Sequence, residues 1–273
     1  MHKRTKLWSS LSLAALVGAG AIGAHAQHGA DAAAPAQAAM PAGGEGGEGE
    51  GEGLPRDVNP ATNDVAYLTQ LGLMRGHLLV GLELYRAGHI EHARTHMKHP
   101  RSELYADLVP AFEARGSSGF GGQLGALTRA VESDDSTPEA VEAAYTDVLA
   151  GISAAEAAVG GASAALQIQV AVNLLRTAAE EYGIGVVDGK VVNGHEYQDA
   201  YGFTRTARAR IEGIDPGEDA ELAAGLNTIE GYIQELFDAG AWPSVMPPET
   251  LEANASLLFG AAARVEIVGL GLR

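Results

Sequence analysis

The chain has 273 residues, no cysteine, and a formal charge of −17 from 35 acidic and 18 basic side chains. Disulfides, thiolate zinc sites and cysteine nucleophiles are thereby excluded, and a surface this acidic repels nucleic acid and anionic lipid while attracting cations. Any metal site must be built from His, Asp, Glu, Tyr or Met.

Residues 1–26, "MHKRTKLWSSLSLAALVGAGAIGAHA", carry Lys3, Arg4 and Lys6, then an apolar run, then Ala24-His25-Ala26. This order predicts a cleavable secretory signal peptide, hence a periplasmic protein. Losing the three leader cations takes the charge to about −20. Residues 27–60 are Ala, Pro, Gly and Glu with almost nothing to bury, so they are expected to form a disordered tether. The remaining stretch, 61–273, is long enough for one helical domain.

Within that domain nearly every segment reads as helix. "NDVAYLTQLGLMRGHLLVGLELYRAG" is densely apolar and ends at Gly88, a natural C-terminal cap. Arg75, His77 and Glu83 interrupt it, which favours a buried helix over a membrane span, and Gly72 and Gly76 permit close approach of a neighbour. The next helix runs through "GHIEHARTHMKHPRSE" into "ELYADLVPAFEARG", where Pro100 and Pro110 are expected to kink or restart it. A glycine-rich loop and a short helix follow. Thr137-Pro138-Glu139 then starts a helix with proline where its missing N–H costs nothing. After the helix "SAALQIQVAVNLLRTAAEEYG", the Val pairs around Asp188-Gly189 predict a tight hairpin near 186–192. Asn193 with Glu196 predicts a capping box for the helix "HEYQDAYGFTRTARARIEG". Further helices are expected from Asp215-Pro216 and from Thr250. Short connections predict an all-α, up-and-down antiparallel bundle of about seven helices with that one β-hairpin.

Four of the nine histidines fall in one stretch: His89, His92, His96 and His99. At about 100° per residue they share an arc of about 80° on a helix, with Glu103 inside it. If Gly88 is the turn of an antiparallel pair, residues equidistant from it lie at one height. His77 stands eleven residues before it and His99 eleven after, so His77 should face the His96–His99 level. Imidazoles from two facing helices with a carboxylate nearby form a transition-metal site of the kind bundles hold. The candidate ligands are therefore His77, His96, His99 and Glu103, with His92 and His89 nearer the turn as a second or entry site. Glu196, Tyr197 and Asp199 beside His195 form a separate oxygen-rich candidate. Such donors take copper or zinc by intrinsic affinity, and added carboxylates favour iron or manganese. The competing reading is a helical interaction module that docks on a membrane partner through a histidine-rich, pH-responsive face.

No enzyme is expected. In "HARTH" the residue after His92 is Ala93, so the glutamate base of an H-E-x-x-H protease is missing. There is no Gly-x-Ser-x-Gly, P-loop or dinucleotide fingerprint, and no pair of Glu-x-x-His motifs. Haem ligation through His with Met74 or Met97 would show as a Soret band.

"DGKVVNGHEYQDAYGF", residues 188–203, resembles the periplasmic region of bacterial high-affinity iron permeases, where a hairpin leads into a helix opening with Asn-x-x-Glu-Tyr. "LGLMRGHLLVGLELYRAG" and "HMKHPRSELYADL" look like the front half of exported helical proteins associated with iron uptake. The permease's Arg-Glu-x-x-Glu motif and membrane helices are absent, and the Gly-x-His-x-x-Glu motif of imelysin-type proteins is not reproduced around His77. The resemblance implies an accessory role in metal acquisition, with iron as the ion and an inner-membrane metal transporter as a partner.

Overall fold

The computed structural model describes residues 58–272. The expected signal peptide and the expected tether up to residue 57 lie outside the described residues. Nine α-helices are found among the described residues: α1 (Asp64–Arg86), α2 (Ile90–His99), α3 (Tyr105–Ala114), α4 (Gly121–Glu132), α5 (Pro138–Ala157), α6 (Ala164–Gly185), α7 (Gly194–Glu212), α8 (Ala220–Asp238) and α9 (Ala255–Gly271). Two short strands, β1 (Val186–Val187) and β2 (Lys190–Val191), join α6 to α7. The all-α architecture with one hairpin is as expected. The helix count rises because Pro100 divides the expected second helix.

That division is not the break the sequence suggests. His99 keeps helical backbone angles, and Pro100–Leu104 form one π-helical turn closed by Tyr105 N–H donating to Pro100 O. The wider turn absorbs the proline's missing donor without ending the helix. Pro110 lies inside α3 without restarting it. The carbonyl it leaves unbonded, on Ala106, is on the water-facing side with it, so the loss is met by solvent.

Local start signals set the helix boundaries. Asn63, Thr137, Ser163, Asn193, Asp219 and Asn254 each accept a backbone N–H from the first turn of the helix they precede. The last two correct the sequence reading. Asp215-Pro216 forms a turn, with Asp215 Oδ1 accepting from Gly217 N–H, and α8 starts only after Asp219. Thr250 bridges Lys190 instead of opening α9, and Gly189 O accepts from Leu251 N–H. The 249–251 segment therefore extends the hairpin by one more extended stretch. At the hairpin tip Asp188 and Gly189 have φ of 51° and 72°, the left-handed pair that a two-residue turn requires.

α1 is the central helix, buried along most of its length against α2, α5, α6 and α7. α6 packs between α7 and α9. One contact decides how close α1 and α7 come. A Cβ on Gly76 would lie 2.5 Å from Phe203 Cδ1, and one on Gly202 would lie 2.5 Å from Gly76 O. The two helices thus meet backbone to backbone, one residue from His77 and three from Asp199. Among the described residues no helix is long and apolar enough to cross a membrane.

Candidate metal centre

Three helices converge here. α1 supplies His77, α2 supplies His96 and His99, and the first two turns of α7 supply His195, Glu196, Gln198 and Asp199. His77, His96, Gln198 and Asp199 are completely buried. The Gly88 turn works as the spacing requires: His77 and His99 lie with ring centroids 4.5 Å apart. His77 and His96 are 6.3 Å apart, and His96 stacks in parallel on His195 at 4.3 Å.

Asp199 is the hub. Its Oδ1 accepts from His77 Nδ1 at 2.7 Å and lies 3.1 Å from His96 Nδ1, while its Oδ2 lies 3.0 Å from His195 Nδ1. The last two are ion-pair distances whose angles fall outside hydrogen-bond geometry: His96 Nδ1 and Asp199 Oδ2 find no hydrogen-bond partner among the described residues, nor does His195 Nε2. Burial alone would push the Asp199 carboxyl up. The imidazoles of His77, His96 and His195 beside it outweigh this and hold Asp199 well below the carboxylate range. Burial likewise pulls His195 down, but the carboxylates of Asp199 and Glu196 lift it to about 10. For His96 burial wins and the pKa is lowered.

The orientation of His96 follows from Gln198. The Gln198 amide donates from Nε2 to Val245 O at 3.2 Å, which turns its Oε1 toward His96 Nε2 at 2.9 Å. An amide oxygen only accepts, so His96 Nε2 carries the ring proton. His96 Nδ1 then faces the Asp199 carboxylate 3.1 Å away, outside hydrogen-bond geometry. A proton or a metal cation at Nδ1 balances the buried carboxylate charge. The same arrangement, with one ring nitrogen fixed by a second group and the other free, is how ligating histidines are held.

The segment after α8 locks this geometry. Ser244 O accepts from Tyr197 O–H at 2.7 Å, Trp242 Nε1–H donates to Tyr197 O at 3.3 Å, and Val245 O anchors Gln198. The start of α7 is further fixed by Asn193, whose side chain accepts from His195 N–H. The expected capping box is modified. Glu196 accepts from the Asn193 side-chain amide, while the Asn193 backbone N–H donates to Gly185 O. This leaves Glu196 Oε2 directed toward His195, at 3.9 Å from Nδ1.

Of the residues singled out from sequence, the fold brings His77, His96 and His99 together, and Glu103 follows as a neighbour of His99, with Oε2 3.2 Å from its Nε2. His89 and His92 are not brought into this group of rings. His89 is the residue before α2, and both are exposed, because α7 begins opposite the second half of α2 and leaves its first turn uncovered. His92 thus sits on the rim, where partial burial and the charges of His89 and His195 lower its pKa. The two groups that the sequence separates are one cluster: His195, Glu196 and Asp199 share the Asp199 carboxylate with His77 and His96. Tyr197 is not a ligand candidate, since its hydroxyl is committed to Ser244. Gln198 was not foreseen, although a glutamine one residue before Asp199, on a helix opening with histidine, is the available signal.

Residues 160–262 match the model of the iron permease-associated 4-helix bundle domain. The resemblance carried by 188–203 lies inside that match. The matched part spans α6 to α8 and the start of α9 and contains His195, Glu196, Gln198 and Asp199; His77, His96 and His99 lie before it. No curated protein and no solved structure matches the chain.

Proposed function

We propose that this protein binds a divalent transition-metal ion through His77, His96 and Asp199, with His99, His195 and the carboxylates of Glu103 and Glu196 around them, and that it serves iron acquisition outside the cytoplasm. The observation that carries this reading is the buried Asp199 carboxylate, with ring nitrogens of His77, His96 and His195 from three helices within 2.7–3.1 Å of it. A cation at His96 Nδ1 would be held by that nitrogen and by the carboxylate without moving Gln198. The permease-associated match of 160–262 supports iron as the cargo. By affinity alone the imidazole-rich donor set would take copper or zinc more tightly, so iron selectivity rests on supply in that setting. The basic and apolar order of residues 1–26 supports export to the periplasm. An inner-membrane metal transporter is the proposed partner, and the acidic surface would keep cations near the site.

The test is anaerobic calorimetry with Fe²⁺, repeated with Cu²⁺ and Zn²⁺, on the protein lacking residues 1–26. Stoichiometric binding that disappears in His96→Ala and in Asp199→Asn is expected. Unchanged isotherms in both variants would refute it.

A further inference from the structure

Asp199 does not point one oxygen at the cluster and the other away. Oδ1 lies within 2.7 Å and 3.1 Å of His77 and His96, and Oδ2 lies 3.0 Å from His195, beside Glu196. Each oxygen therefore has its own set of donors. One set is His77 and His96 from α1 and α2; the other is His195 and Glu196 from the first turn of α7. Asp199 is completely buried, and its Oδ2 is without a hydrogen-bond partner among the described residues.

We infer that the centre holds two metal ions bridged by the Asp199 carboxylate, one on each set. This rests on the metal-binding reading above and goes further, fixing the number of ions and the role of Glu196. Donor number argues for it. Four imidazoles together with the carboxylates of Asp199, Glu196 and Glu103 exceed what one four- to six-coordinate ion takes. The parallel stacking of His96 on His195 at 4.3 Å sets rings from the two donor sets side by side. Glu196 and His195 are about a quarter accessible, whereas His77 and His96 are completely buried, so the second ion is the one that exchanges with solvent.

The experiment counts ions per chain by elemental analysis after equilibrium dialysis of the exported chain against Co²⁺, and records the Mn²⁺-loaded protein by electron paramagnetic resonance. Two ions per chain are expected, giving a spin-coupled signal, with the count falling to one in Glu196→Gln and helicity by circular dichroism unchanged. One ion per chain in the unaltered protein would overturn the inference and leave the single-ion reading standing, with Asp199 chelating through both oxygens. No ion at all would overturn both. Two ions without spin coupling would overturn the bridge, whatever Glu196→Gln does to the fold. Two ions retained in a folded Glu196→Gln would overturn the second donor set.

Discussion

Replacing Asp199 by Asn keeps the volume and one acceptor oxygen but removes the buried charge on which three imidazoles converge. In the metal-free protein His77 still finds an oxygen at about 2.7 Å, and His195 can shed its proton, so no buried cation is stranded. The loss is then that of hydrogen bonds to a charged group, about 1.5–3 kcal/mol. For a domain of this size that is a fall in Tm of about 3–12 °C. The metal response separates a ligand from a merely structural carboxylate. At one hundred times Kd a bound ion stabilises the unaltered protein by about 2.7 kcal/mol, or about 5–11 °C. Asp199→Asn should show almost none of that rise. Thermal melts with and without Fe²⁺ or Co²⁺ check both numbers. A variant as strongly stabilised by the ion as the original protein would refute the placement of Asp199 at the centre.

Three other outcomes are expected. Gly202→Ala forces a methyl into the Gly76 carbonyl and should cost about 1–3 kcal/mol in urea unfolding while weakening metal binding, because α1 and α7 must part; wild-type stability would show that the close approach is unimportant. His195, held near 10, carries a proton at pH 7.5, and a cation on Asp199 removes the charge that holds it there. Metal binding should therefore release about one proton, read as a dependence of binding enthalpy on buffer ionisation, and His195→Asn should abolish it. The sign of the pH effect on the apo-protein follows from the same shift. A raised folded pKa adds stability that is fully present below about 6.5 and is lost as pH rises through about 10, a modest term because His195 is partly exposed. Finally, His89→Ala with His92→Ala should leave the affinity within about twofold, since both lie outside the ring cluster; a tenfold loss by calorimetry would bring the rim into the site.

The sequence carried much of this. Equal distances from Gly88 paired His77 with His99, because an antiparallel helix pair is nearly a mirror in height about its turn. Asp188-Gly189 and the cap residues marked the hairpin and most helix starts for reasons confined to a few neighbouring residues. What was not legible depended on long-range packing. The His-rich face of α2 looked uniform on a helical wheel, and only the position where α7 begins separates buried His96 from exposed His92. Asp199 was visible as a neighbour of His195, but its place among His77 and His96 is set by the Gly76–Gly202 contact between helices 126 residues apart in the chain. The grip of the 242–246 segment on Tyr197 and Gln198 joins backbone carbonyls to side chains and leaves no pattern in residue types. The π-helical turn was misread as a break because a proline's effect depends on whether the chain can widen around it.

The central claim is tested most directly by a crystal structure of the metal-loaded protein with anomalous data collected at the metal edge. The account predicts a peak about 2.0–2.2 Å from His96 Nδ1 and from the Asp199 carboxylate, with Gln198 still bonded to His96 Nε2. A peak on His89 and His92 alone, or a cluster left without any peak at saturating metal, would contradict it.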